Sequence, residues 1–165
     1  MTLDEHIRQL EAIQADLPGM LSDTAKNATL RAVEAAQDKT PPTADSLGGT
    51  NTRGGRMQQD WSARSKVEPV HQGNEYTTEL NNNMEYASYV NDGHLMHKHF
   101  VPHLTVEAST GLLQIDMDKD CGMMVGTKTK YVEGLHMTDA ATEAYKQTVS
   151  TEAEMLCRHI EEALK

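Results

Sequence analysis

The segment LDEHIRQLEAIQADLPGMLSDTAKNATLRAVEAA, residues 3–36, carries the clearest structural pattern in this 165-residue chain. Its apolar residues recur every three or four positions and so form one stripe on a helix. The stripe consists of Leu3, Ile7, Leu10, Ile13, Leu17, Leu21, Ala25, Ala28, Ala32 and Ala35. We therefore predict a long amphipathic N-terminal helix. A kink or brief break is expected at Pro18-Gly19, because proline removes a backbone donor and glycine costs backbone entropy.

A second helical pattern occupies the C-terminal end of the chain. Its apolar positions are Ala141, Tyr145, Val149, Ala153, Leu156, Ile160 and Leu164. This spacing predicts a C-terminal helix that Thr138 or Asp139 caps, since both side chains can accept a backbone hydrogen bond.

Between the two helices the pattern changes to alternation, which is typical of strands. Residues 60–70 and 75–82 alternate around a turn that contains Gly73 and Asn74, and they predict a β-hairpin. A second hairpin is predicted from residues 111–117 and 122–128.

A short helix is predicted over residues 84–91, between the two hairpins. It places Tyr86, Tyr89 and Val90 on one face, and Asp92-Gly93 ends it in the manner of a C-cap. We interpret the tyrosines as packing residues rather than ligand contacts.

Residues 39–56 are rich in Pro, Thr and Gly and contain almost nothing that can be buried. A loop of this length is uncommon in a compact domain unless it is functional or disordered. The expected architecture is therefore a single α+β domain over residues 1–165. Its long N-terminal and C-terminal helices pack on a small antiparallel sheet, with a long flexible loop and an extra β-hairpin.

Composition predicts a thin core. The chain has 15 Lys and Arg against 25 Asp and Glu, a formal charge of −10, and only 28 Leu, Ile, Val and Phe residues. This low content and high charge approach the composition of disordered chains, so alanines and methionines must fill much of the core. The N-terminus has neither a basic leader nor an apolar segment, and no stretch reaches the ~20 apolar residues of a membrane span. We expect a soluble protein made in a cytoplasm, without a membrane partner.

The eight histidines are unevenly distributed, and His94, His97, His99 and His103 lie within ten residues. Imidazoles at such spacing can bind Zn²⁺ or Ni²⁺, although the spacing matches no common zinc signature. A metal-binding module or metal-dependent enzyme that uses these residues is therefore the alternative interpretation, against exposed histidines of a loop. Cys121 and Cys157 form no CxxC pair and are expected to be free thiols.

Basic residues concentrate in one strip formed by Arg53, Arg56, Arg64 and Lys66. Residues 39–70 are the only part of the chain with a net positive charge. The strip is either an ordinary solvated face or a contact for an acidic partner or for passing DNA.

Three short motifs, taken in order, carry a resemblance to one protein family. They are Gly55-Arg-Met-Gln-Gln-Asp-Trp61, then Asn83-Met-Glu-Tyr86-Ala-Ser-Tyr89-Val-Asn-Asp-Gly93-His94, and then Tyr131-Val-Glu-Gly134-Leu-His-Met137. With the long N-terminal helix and the loop, they resemble the tail-completion, or neck, proteins of tailed bacteriophages, a group similar to minor tail protein Z and to gp10-like tail components. Residues 95–130 look like an enlarged version of a region that is shorter in many relatives.

The resemblance implies a structural virion protein without catalysis and without a cofactor. Its members are expected to form a ring, here taken as hexameric, that completes the tail and joins it to the head connector. The implied partners are other copies of the chain, the connector or head-completion protein, and the tail tube or tail terminator. DNA passes through the channel without sequence recognition, and Arg53 and Arg56 would face its phosphates if the loop lines that channel. The implied location is the neck or tail of the virion, and the host cytoplasm during assembly.

Overall fold

The structure is a computed structural model that describes residues 2–42, 55–118, 120–126 and 130–164. It is α+β, as the sequence predicts. The elements are α1 (Leu3–Lys39), α2 (Arg56–Arg64), β1 (Lys66–Gln72), β2 (Glu75–Glu79), α3 (Ala87–Asp92), β3 (Gly93–Leu95), β4 (His99–Pro102), β5 (Leu104–Val106), β6 (Leu113–Ile115), β7 (Gly122–Val125), β8 (Tyr131–Glu133) and α4 (Met137–Ala163). Most of the predicted loop 39–56 lies outside the described residues.

Helix α1 is confirmed, and it begins with a capping box. The Thr2 hydroxyl accepts a hydrogen bond from the Glu5 backbone N–H at 3.3 Å, and a Glu5 carboxylate oxygen accepts one from the Thr2 N–H at 2.6 Å. The predicted break at Pro18 is wrong, because the helix continues through it to Lys39. Ile13 and Met20, on either side of the proline, border the same groove with the end of α4. The end of α4 thus lies beside α1 on both sides of Pro18.

The core lies where α1, α2 and the start of α4 meet. Helices α1 and α4 make the largest contact between any two elements. Alanines and methionines supply most of the buried apolar side chains among the described residues, as composition predicts. The core cluster consists of Ala32, Val33, Ala36, Met57, Trp61, Met137 and Ala141, and Val67, Leu80, Met84, Ala87, Val90 and Tyr145 pack around it.

Helix α2 replaces the predicted beginning of the first strand. Asp60 and Trp61 were expected in a strand, but both lie in α2, and the strand begins only at Lys66. The spacing of Met57 and Trp61 explains the difference: residues four apart share one helix face, and both are buried. Gly55, with φ of 59°, occupies the position before the helix and allows the chain to turn into it.

The first hairpin is confirmed and packs on α1. Strands β1 and β2 are antiparallel, and Gln72 pairs with Glu75 across the two-residue turn Gly73-Asn74. Gly73 has φ of 63°, a conformation that glycine adopts at little cost in tight turns. The register shifts between Lys66 and Val70, around the proline of β1.

Strands β3 to β8 form three successive two-stranded ladders, β3 with β8, β4 with β7 and β5 with β6. We call the described residues of 93–133 the arm. In β3 and β8 Gly93 pairs with Glu133, and in β4 and β7 His99 pairs with Val125. In β5 and β6 Leu104 pairs with Ile115. The chain thus goes out along three strands and returns along three. At about 3.3 Å per residue, the outgoing strand would span roughly 45 Å if it were straight.

The predicted second hairpin, 111–117 with 122–128, is therefore wrong in its pairing. Both strands exist, but β6 pairs with β5 and β7 pairs with β4. His103 has φ of 60°, and its backbone N–H and C=O bond to Cys121 and Asp116. Asp116 and Cys121 thus flank the expected hairpin turn, yet both bond across to His103 of the outgoing strand.

Helix α4 begins at Met137, and the predicted cap from Thr138 or Asp139 is wrong. His136 occupies the N-cap position with φ of 50° and its side chain makes no capping hydrogen bond. The acceptor comes from α3 instead, because Asn91 Oδ1 accepts the Thr138 backbone N–H at 3.0 Å. A side chain distant in sequence thus satisfies the free donor at the helix start.

Candidate assembly surfaces

The predicted basic strip is not one continuous free surface. Arg53 lies outside the described residues, and Arg56 is exposed at the first position of α2. Arg64 Nε lies 3.6 Å from Asp60 Oδ1. The charge of Lys66 is also paired, with the carboxylate of Glu79.

Lys66 lies beside Glu79 on the first hairpin. Its Nζ is 2.9 Å from Glu79 Oε2 and 3.0 Å from Oε1. The hydrogen bond from Lys66, and a second one from Asn81, lower the pKa of Glu79 below its ordinary value. Of the described basic residues in the strip, only Arg56 has no ion pair, so it is the best placed to meet an external phosphate.

The four clustered histidines are spread along the arm. His94 lies in β3, where its ring meets Tyr89 edge-on at a centroid distance of 5.8 Å, and His99 begins β4. His103 sits between β4 and β5. An extended chain moves these residues apart, and the described part of the protein contains no group of three side chains able to hold a metal ion. The structure gives no support to the metal-binding alternative.

The family-motif residues have two different roles. Trp61 is structural: its Nε1–H donates to Thr40 Oγ1 at 2.8 Å inside the core. Tyr86 and Tyr89 are 47% and 59% exposed, so the prediction that they pack is wrong, and only Val90 of that helix face reaches the core. The exposed tyrosines leave a surface free beside the arm.

Gly93 and Gly134 form the root of the arm, where two backbone segments touch. A Cβ at Gly134 would lie 2.7 Å from the Gly93 backbone nitrogen, and one at Gly93 would lie 2.5 Å from the Val132 carbonyl oxygen. Only glycine permits this approach. Hydrogen bonds from Leu135 N–H to Val90 O and from His136 N–H to Asn91 O then join the root to α3.

The end of the arm has one apolar face and one polar face. We call β5, β6 and their connection, residues 104–115, the arm tip. Cross-strand partners share a face, so Leu104 with Ile115 and Val106 with Leu113 lie on one side. Thr105 with Gln114 lies on the other. Val106, Leu113 and Ile115 are 50%, 60% and 64% exposed. A two-stranded ribbon is marginal in water unless such a face packs on something.

A second apolar surface follows the first half of α1. Leu3, Ile7, Leu10 and Leu21 are exposed although they belong to the predicted stripe. The stripe is buried only from Ala25 onward, where the core begins. No leucine or isoleucine is among the fully buried residues of the described chain, even though these types are usually the most buried.

An open groove of about 470 Å³ lies over α1, between β2 and α4. Its apolar lining includes Ala32 and Ala141, which are buried, and Leu80 and Tyr145, which are only partly buried and so provide its accessible apolar surface. Tyr76, Thr77 and Thr78 all border it, although successive strand residues point to opposite faces. The outer edge of β2 therefore faces the groove, and among the described strands β2 pairs only with β1.

Sequence reasoning missed the arm tip and the groove. A signal for the tip was present in LTVEASTGLLQI, residues 104–115, where two alternating apolar runs flank a segment that contains Gly111. The groove has no such signal, because three elements far apart in sequence border it. Within the described helices, none combines the length and the hydropathy needed to cross a membrane.

Comparison with known proteins identifies the family. A family model of HK97 gp10-like bacteriophage tail components matches residues 4–93, more than half of the chain. No curated protein and no solved structure matches. The matched segment includes α1, α2, the first hairpin and α3, and it ends at Gly93, the root of the arm. The chain belongs to the HK97 gp10-like family of bacteriophage tail components.

Proposed function

We propose that this tail component is a neck, or tail-completion, subunit. Copies of the chain form a ring, taken as hexameric, that completes the tail, joins it to the head connector and lets DNA pass. The subunit has no catalytic role. The observation that carries the proposal, beside family membership, is the exposure of large apolar residues on both the arm and α1.

Those exposed surfaces favour assembly over a monomeric function. A soluble monomer rarely exposes large contiguous apolar patches, and such patches usually mark interfaces. The arm projects away from a small core, so its apolar residues cannot contribute to the stability of the isolated subunit. A ring buries such surfaces through contacts repeated from each subunit to the next.

Electrostatics supports a channel role for a limited set of residues. The chain carries a net charge of −10, which disfavours general binding to DNA. An acidic ring wall with few fixed cations would let DNA slide without being held. Arg56 is the described cation that we propose faces the phosphates, since Arg64 and Lys66 have acidic partners.

The proposal is tested by removing the protein from assembling particles. Particles made without it should consist of filled heads and separate tails, and the complete chain supplied in trans should restore joined particles. Imaging of the joined particles should show density for a closed ring at the neck. A strictly monomeric protein that is absent from virions would exclude the proposed function.

The proposed contact of Arg56 with DNA is tested with a matched pair of variants, Arg56→Glu and Arg64→Glu. Both reverse one charge on the same short helix. If Arg56 faces DNA, Arg56→Glu should lower infectivity more than Arg64→Glu, while head–tail joining stays at the wild-type level. Equal effects of the two variants would exclude a special role for Arg56.

A further inference from the structure

We propose that the arm tip of one copy docks in the groove between β2 and α4 of the next copy. This inference rests on the proposed ring and specifies how its subunits are joined. The tip offers a one-sided apolar ribbon, and the groove offers an apolar floor beside an unpaired strand edge. One chain thus carries both halves of a complementary contact, and neither half is filled within the described structure.

The shape of the groove suits a strand. The outer edge of β2 can pair with an added strand through backbone hydrogen bonds, as in other cases of strand addition. Alternate side chains of the added strand would then point to the apolar floor, where Leu80 and Tyr145 are accessible. Leu113 and Ile115 of β6 have this alternation, with the polar Gln114 between them.

The charges of the two surfaces are complementary. Residues 99–118 contain Glu107, Asp116 and Asp118 but no lysine or arginine. The groove is bordered by one charged side chain, Lys146, which is exposed and has no ion pair within the described part of the chain. The carboxylates of the arm therefore complement this lysine. The N-terminal half of α1 is also acidic, but it is helical, and only an extended segment such as β6 can pair with the free edge of β2.

The apolar face of the tip is small, so the contact forms one part of the interface between copies. Val106, Leu113 and Ile115 expose between 50% and 64% of their surface. At about 100 Å² for a fully buried aliphatic side chain, this face can bury roughly 170 Å² of apolar surface. One partner of a standard interface buries roughly 800 Å², so other surfaces of the proposed ring contribute the rest.

A contact of this kind is compatible with a ring. The arm and the groove are different surfaces, so the interface is heterologous and repeats head to tail from copy to copy. Such an interface gives a ring when the rotation between copies closes. The arm–groove contact would therefore contribute to the lateral bond between subunits.

The experiment is disulfide cross-linking of the full chain in purified particles. Cys121 and Cys157, both exposed and free, are first replaced by serine. Leu113→Cys is then combined with Thr142→Cys in the groove. Oxidation should give a ladder of cross-linked copies. The control combines Gln114→Cys, on the opposite face of the same ribbon, with Thr142→Cys and should give several-fold less product.

A mixing experiment distinguishes this contact from the alternatives. Mixing one copy that has only Leu113→Cys with a copy of different size that has only Thr142→Cys must give the mixed dimer. A cross-link confined to a single chain, or one to another virion protein, overturns the proposal. Particles that contain a ring without this cross-link overturn the arm contact and leave the proposed function standing, whereas absence of the protein from particles removes both.

A second variant pair tests the energetics. Leu113→Asp should weaken association by about 100-fold, because it places a charge in the contact, and Gln114→Asp should change it far less. Association is measured by native mass analysis over a range of concentrations. Trp61 fluorescence during thermal unfolding must show that both variants are folded; equal association of the two folded variants would overturn the proposal.

Discussion

Replacing Gly134 by alanine should destabilise the protein at the root of the arm. A Cβ at this position would lie 2.6 Å from the Asp92 carbonyl carbon and 2.7 Å from the Gly93 nitrogen, and backbone atoms cannot move aside as a side-chain tip can. Overpacking of this kind costs about 1–3 kcal/mol. For a domain of this size, a cost of about 2 kcal/mol lowers Tm by about 4–8 °C.

Gly19→Ala is the matched control, since it makes the same chemical change but is expected to raise Tm instead of lowering it. Gly19 lies inside α1, and a Cβ there would meet nothing within 4 Å. Alanine in a helix interior is favoured over glycine by about 0.5–1 kcal/mol. Gly19→Ala should therefore raise Tm by about 1–4 °C.

Thermal unfolding followed by circular dichroism measures both variants. Amide hydrogen exchange adds a local measurement, because Leu135 N–H donates to Val90 O and His136 N–H donates to Asn91 O next to the substituted position. Both amides should exchange faster in Gly134→Ala. An unchanged Tm together with unchanged exchange would show that the two backbone segments do not lie as close as described.

Four other outcomes follow from contacts in the structure. Thr40→Val removes the acceptor of the Trp61 indole N–H, which is buried, so the free energy of unfolding measured by tryptophan fluorescence in urea should fall by about 1–3 kcal/mol. Asn91→Ala removes the acceptor at the start of α4 and should cost about 0.5–2 kcal/mol in the same assay; no loss would show that this cap is dispensable. Lys66 lowers the pKa of Glu79, so this pair contributes stability above the ordinary Glu pKa that is lost as pH falls through the lowered value. In an NMR titration Lys66→Ala should raise that pKa, and an unchanged pKa would refute the contact. Finally, Tm should rise with protein concentration if assembly stabilises the fold, whereas a constant Tm over a wide range would contradict it.

The sequence predicts the helices well because their pattern is local and repeated. The three- and four-residue spacing from Leu3 to Ala36 covers about ten turns, so no other period fits it. The first hairpin is predicted for a similar reason, since Gly73-Asn74 supplies a turn at a defined position. In both cases neighbouring residues carry all the information that the element needs.

Short segments are harder to predict, because a few residues can fit both the two-residue period of a strand and the 3.6-residue period of a helix. Asp60 to Val70 alternates, yet Met57 and Trp61 also stand four apart. Residues 56–64 form a helix because the helix places the side chains of both Met57 and Trp61 in the core. Tertiary packing thus determines the secondary structure of this segment, which the local pattern leaves ambiguous.

The pairing of the arm strands could not be read from the sequence. Residues 111–117 and 122–128 are close in the chain, which made a local hairpin the simplest prediction. The structure pairs each with an earlier strand instead. The cap of α4 was missed for the same reason, since Asn91 lies 47 residues from Thr138. Long-range partners leave no periodic trace in a single sequence.

The distribution of apolar residue types adds an argument about assembly that neither the pattern nor the fold supplies alone. The chain has few large aliphatic residues, and a monomer selected to be stable by itself would place them in its core. Here alanine and methionine dominate the described core, together with one valine and one tryptophan, while eight leucines and two isoleucines are strongly exposed. Alanines let α1 and α4 approach closely but bury little surface, so the core alone gives a modest driving force. The exposed leucines and isoleucines lie mainly on the first half of α1 and on the arm. The residues with the largest hydrophobic contribution are thus placed where the described part of this chain does not bury them, as the proposed assembly requires.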